Sequence, residues 1–414
     1  MSASMSRKDR HIAPLLTRRA VVAGLLATLS APAAAQARRV IDARALGLRP
    51  HPRKDQTAHL RRALAIAAKR GAVLRLPTGA IAVRELRWSG PLRLLGAPGA
   101  VLAARPGSRF LMMVEGGPAS MSGVIVDGRG VVEGGEESGV VRLAGVARAA
   151  ITDCAFIGGA GNQLFLRGCT GRIETSRFRH AGHAAIVSLD GQRLHVRGNA
   201  IADCAANGVM IWQSARRFDG AAVIANRIER IRADLGGDGP YGNGVSVFRA
   251  AGVRVQGNRI THCAYSAIRD NAGDECLIAA NTCADLGEVA IFVEFGFRDV
   301  VVRHNRISRA SAGIAATNLD HGGRGALIEG NVIRDIAPRI RSVDLLGYGI
   351  AAEADAVIAG NLVEDAATCG LMLGWGRYLD DVTARANTLR RCRTGIIVSL
   401  TRGAGPARVI GNTI

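Results

Sequence analysis

Two glutamates and an arginine are the residues best placed for chemistry. Glu294 and Glu353 occupy the same position of a repeating pattern, two repeats apart, and Arg269 lies one repeat before Glu294. If each repeat is one coil of a stacked parallel sheet, two coils separate the glutamates by roughly 9.6 Å at the backbone. That is the upper end of the roughly 6.5–9.5 Å between the acid and base carboxyls of an inverting glycosidase. Arg269 can bind a sugar carboxylate bidentately. Trp212, Phe248 and Phe292 offer faces for sugar rings, and Asn271, Thr317 and Asn318 offer hydrogen bonds. Trp375, Tyr378, Tyr241 and Tyr348 come from loops at the edges. The plain alternative is a solvated ion pair on an outward face, which would make the same residues a binding surface without turnover.

The element that must position them is the repeat itself. Val255-Gln256-Gly257-Asn258-Arg259-Ile260 recurs around Asn199, Asn226, Asn281, Asn305, Asn331, Asn361, Asn387 and Asn412. Ser176 and Cys154 take the Asn place in two weaker copies, and the anchors lie 22 to 32 residues apart. Such a period signals a solenoid. Two strands are legible per coil, one ending at the Asn and one opening on a small residue such as Gly208, Gly244 or Gly313. After that residue the first and third positions are aliphatic and expected inside. The second and fourth are expected in solvent. Asn tolerates the left-handed turn conformation, and its amide can form a ladder between coils. The fold expected is all-β, a right-handed parallel β-helix, with the Asn residues structural.

From Asn to the next small residue is usually eight or nine residues, but 18 at Asn226 to Gly244 and at Asn331 to Gly349. The inserted loops, Arg232–Asn243 and Pro338–Tyr348, therefore enter at one turn. With the returns at 213–219, 318–324 and 375–381 they are expected to wall a groove. His321, beside Asp320 in one return, is a possible base but reads more simply as a solvated loop histidine.

The ends and the composition set the context. Residues 1–37 carry a basic stretch including Thr17-Arg18-Arg19, a short apolar run and small residues, which predicts a twin-arginine signal peptide cleaved near Ala35 or Ala37. Its partner would be the twin-arginine export machinery, and the mature protein would be periplasmic or secreted. No stretch is long enough to span a bilayer. The formal charge is +20; Met1–Ala37 holds five basic residues and one acidic, so the remainder stays at +16. That field attracts polyanions, although a genome-wide preference for Arg over Lys produces the same sum. The expected partner is a polysaccharide, plausibly polyanionic, with no specific nucleic acid. Of the eight cysteines, Cys204, Cys263 and Cys392 share a column with Ile231, Leu286 and Ile336, which predicts small apolar fillers and not disulfides. No cofactor and no metal site are predicted, with a divalent cation such as calcium left open.

Asp55-Gln56-Thr57 should cap a helix in which Leu60, Ala63, Leu64 and Ala67 share a face. Leu74-Arg75-Leu76-Pro77-Thr78-Gly79 then leads into the first coil. This opening resembles that of pectate-lyase-superfamily chains, which implies a pectin-lyase-like solenoid with an N-terminal capping helix. Residues 38–105 would form the cap and 106–414 the repeats. The repeats at Gly237–Gly244, Gly287–Phe297, Gly349–Asp355 and Met372–Tyr378 are similar to a family of twin-arginine-translocated repetitive proteins, which implies export and fold but no chemistry. Asp380-Asp381 lacks the companion motifs of polygalacturonases. The chain ends at Ile414 on an anchor, where a truncated sequence or a covering partner is expected. Two functions stand: a polysaccharide lyase, hydrolase or epimerase using Glu294, Glu353 and Arg269, or a non-catalytic polysaccharide-binding or envelope scaffold protein.

Overall fold

The computed structural model describes residues 39–237, 239–339 and 346–414. The predicted signal peptide lies outside these. The described chain opens with helix α1 (Thr57–Lys69), which buries Leu60, Ala63, Leu64 and Ala67 over the end of the stack. Asp55 Oδ1 accepts the Thr57 amide at 2.9 Å, while Gln56 at the cap position makes no side-chain capping bond.

The remainder is a right-handed parallel β-solenoid of about 13 coils. Among the described residues every strand pairing is parallel except one isolated bridge between Trp375 and Tyr378. Each coil carries three strands, one more than the repeat pattern suggests. In the central coil these are Val245–Ala251 on what we term sheet C, Arg254–Gln256 on sheet A and Arg259–Cys263 on sheet B. Sheet A is a separate stack of 15 strands. Sheets B and C merge where single strands, Thr282–Glu294 and Arg306–Ala316, run through both. The sheet B strand was hidden in the sequence because left-handed residues such as Asp203, Arg230, His262 and Asp285 interrupt its alternation.

The Asn column forms the expected ladder. Asn258 donates its backbone amide (2.9 Å) and its Nδ2 (3.0 Å) to Asn281 Oδ1, and its Nδ2 also reaches Val223 O at 2.8 Å. The same bonds recur from Asn199 to Asn412. One detail differs from expectation. The left-handed residue is the one before the Asn (Gly257, Ala280, His304), not the Asn itself. The side chain is thereby freed to turn inward, where the buried amide satisfies otherwise orphaned backbone groups.

Inward positions of sheet C, Val209, Ile211, Val247, Ile291, Val293, Ile314 and Leu371, are fully or nearly fully buried. The cysteines are free and, except for half-buried Cys392, buried. Cys204, Ile231, Cys263 and Leu286 stand in successive register.

Candidate functional site

The register places Phe248, Asn271, Glu294, Thr317 and Glu353 in one column of sheet C, as the repeat count requires. The outward face is not open to solvent along its length, however. Met210, Ser246, Arg269, Glu294, Glu353 and Met372 are all buried. At Arg269 the cover is the first inserted loop, which folds back over the sheet; at Glu353 it is the 318–324 return, and at Met372 the second insertion through Leu346 and Tyr348. Gly239 lies so close to Arg269 that a β-carbon there would meet its guanidinium.

Under that loop Arg269 and Glu294 hold each other. Arg269 Nε donates to Glu294 Oε1 at 2.6 Å and its Nη2 to Oε2 at 2.8 Å, while Nη1 reaches Glu288 Oε2 at 2.9 Å. Asn271 Nδ2 adds a third bond to Glu294 Oε1 at 3.0 Å, and the guanidinium lies 4.8 Å from the Phe292 ring centre. Burial opposes the Arg269 charge, but the two carboxylates outweigh it and its pKa rises. Arg269 and Glu294 thus form the ion pair that the sequence offered as the alternative to chemistry, but buried instead of solvated: all three guanidinium nitrogens and both glutamate oxygens are engaged within the protein.

Other expected contacts are also spoken for. Tyr241 donates its hydroxyl to Glu136 Oε1 at 2.6 Å and packs edge-on against buried His183, pinning the inserted loop. Trp212 donates Nε1 to Ser246 Oγ at 3.1 Å and tilts against Phe248 at 5.6 Å. These residues, with Asn271, lie apart from the cavity described next.

An open cleft of about 270 Å³ remains beyond the loop. It gathers seven of the expected residues: Phe292, Thr317, Asn318, Tyr348, Glu353, Trp375 and Tyr378. One wall is the hairpin turn in which Trp375 and Tyr378 exchange backbone hydrogen bonds, leaving Trp375 54% exposed. Leu346 and Tyr348 supply another wall from the second insertion, and Phe292 and Met372 supply the floor. At one end the return folds into a short 3₁₀ turn (Leu319–His321), whose first amide donates to Glu353 Oε2 at 2.8 Å.

Burial pushes the Glu353 carboxyl above the usual carboxylate range. The Leu319 and Asn318 amides partly counter this, and the Asp320 charge adds to it. Asp320 and Glu288 line the same cleft, and among the described residues no Lys or Arg does. Both were missed as site residues. Glu288 faces the cleft because of a bulge between Leu286 and Val289, which the Asn spacing alone does not reveal. His321 sits with Nδ1 3.0 Å from Asp320 Oδ1 and its ring edge-on to Phe295. Among the described residues no three His, Cys, Asp or Glu side chains are grouped to hold a metal ion. None of their helices is long and apolar enough to cross a membrane.

With this geometry in hand, comparison with known proteins locates the fold. Residues 138–333 match the family described as the right-handed β-helix region. No curated protein matches the sequence. Among solved structures, the catalytic domain of a GH87 α-1,3-glucanase bound to nigerose superposes with a TM-score of 0.59 at 11% identity, over 91% of this chain and 69% of that one. A mannuronan C-5 epimerase A-module from Azotobacter vinelandii gives 0.51 at 13%, over 90% and 98%. The surface adhesin PfbA of Streptococcus pneumoniae gives 0.52 at 11%, over 91% and 93%. The matched region and the shared architecture give this chain the right-handed parallel β-helix fold.

Proposed function

We propose that this is an exported protein that acts on an extended polysaccharide, with the cleft at Glu353 as its active site. The observation that carries the reading is the pairing, in one aromatic-walled cleft, of a buried carboxyl held toward its protonated form with a second, more exposed carboxylate, Asp320. Environments that push two carboxyls apart are how acid and base roles are divided. Glu353 is the acid that protonates a glycosidic oxygen, and Asp320 is the base that takes a proton from water or sugar. Trp375 and Tyr378 stack on sugar rings, and Thr317 and Asn318 bind hydroxyls. Among the described residues that line the cleft, three are acidic and none is Lys or Arg, which disfavours a uronate here and favours a neutral unit. The GH87 α-1,3-glucanase and the mannuronan C-5 epimerase that share the fold support the polysaccharide class.

A second reading rests on the Leu319 amide bond to Glu353, which also serves to tie the 318–324 return to the sheet. On that reading the cleft binds sugar without turnover. The two separate in a panel of neutral glycans and polyuronates followed for new reducing ends, unsaturated products and binding together. Turnover lost in Glu353→Gln with binding kept supports the enzyme; binding with no turnover of any glycan leaves the binding protein.

A further inference from the structure

Sheet A carries a second cleft, of about 530 Å³, lined by Arg148, Arg172, Arg193, His195, Gln192 and Glu174 among others. Arg148, Thr170 and Arg193 immediately precede Ala149, Gly171 and Leu194, which are paired on three successive coils, and the register sets Arg172 beside His195. Arg148, Arg172, Arg193 and His195 are all exposed.

Their charge state sets them apart from the arginines of the turns. There each guanidinium has its own carboxylate: Arg230 with Asp203, Arg309 with Asp285, Arg391 with Asp365, at 2.7 Å each. In the sheet A cleft, Arg148 and Arg193 have no ion pair among the described residues, and Arg172 has only a 3.3 Å contact to Glu174. Three arginines are thus gathered in a concave site with only Glu174 to offset them, which focuses a positive field. Coils recur about every 4.8 Å, the scale of one sugar unit in an extended chain. Successive guanidinium groups therefore meet successive units. Guanidinium is suited to bidentate carboxylate binding, and Gln192 and Thr170 add hydroxyl partners. No Phe, Tyr or Trp lines the cleft, so it lacks the stacking platform that single-stranded nucleic acid uses.

We infer that this cleft is a binding site for an acidic, uronate-bearing polysaccharide, separate from the cleft at Glu353 and independent of whether that one is catalytic.

The test uses the mature protein and immobilised polygalacturonate and alginate, with a neutral glucan and duplex DNA alongside. Arg148→Ser/Arg172→Ser/Arg193→Ser should weaken polyuronate binding roughly tenfold, the order expected for three exposed charge contacts. Wild-type binding should fall at high ionic strength. Two variants serve as controls. Arg61→Ser/Arg62→Ser/Lys69→Ser removes the same charge from helix α1 and should change binding little; Glu353→Gln should leave it unchanged. Loss of polyuronate affinity in the helix variant equal to that in the cleft variant would assign binding to net charge and overturn the site. Absence of wild-type polyuronate binding, or tighter binding to DNA, overturns it as well.

Discussion

Arg269 and Glu294 meet in a bidentate pair of 2.6 and 2.8 Å beneath the loop that carries Gly239. Sequence spacing marks both for chemistry, and the roof over them turns the pair into a structural clasp. Removing one partner of a buried pair strands the other charge, at a cost of about 3–5 kcal/mol. Glu294→Ala should therefore lower the midpoint of urea unfolding strongly, and Arg269→Met/Glu294→Leu should recover most of the loss. A Glu294 variant of full stability and no activity would return that residue to the catalytic set.

The Asn ladder gives a second stability prediction. Asn305→Ala deletes the acceptor for both Asn281 donors and the donor to Ile278 O, in a buried column. Each buried group left unsatisfied costs about 1–3 kcal/mol. Chemical denaturation should show a loss of that order or greater, with glycan affinity at 25 °C unchanged.

What the sequence made legible, and what it hid, follows from these residues. The Asn columns are periodic because one backbone requirement repeats in every coil, so coil number, register and the alignment of Glu294 with Glu353 could be counted. Orientation of the covering loops is not periodic. Nothing in Arg232–Asn243 announces that it folds onto Arg269 or that Tyr241 reaches Glu136, 105 residues away. Asp320 and Glu288 became site residues only through a 3₁₀ turn and a bulge, both local departures from the repeat.

Asp270 is wholly buried on the inner side of sheet C, and neither carboxylate oxygen has a hydrogen-bond partner. Burial, aided by Asp274 and Glu294, pushes its pKa from 3.8 to about 7. Folded protein therefore holds this proton more tightly than unfolded protein, and stability falls as pH rises from about 4 to about 7. A shift of that size corresponds to roughly 4 kcal/mol above the upper limit. Asp270→Asn should raise the thermal midpoint at pH above 7 and bring little gain at pH 4. A gain independent of pH would contradict the assignment.

Trp375 is the most exposed aromatic of the cleft, held on a hairpin tip by backbone bonds that do not involve its ring. Trp375→Ala should weaken glycan affinity by about 1–2 kcal/mol, as loss of a stacking face would, with unfolding midpoints unaltered. Titration calorimetry against the glycan that binds wild type reads the first quantity directly.

The most direct measurement is turnover of a glycan panel by wild type, Glu353→Gln and Asp320→Asn across pH. The account predicts turnover of a neutral glycan by wild type. Its rate should fall as pH rises past the elevated Glu353 pKa, because the acid is then deprotonated. Glu353→Gln should lose that turnover while still binding, and Asp320→Asn should lower it strongly with binding kept. Turnover by Glu353→Gln equal to wild type, with the same pH profile, would contradict the assignment of the cleft as the active site.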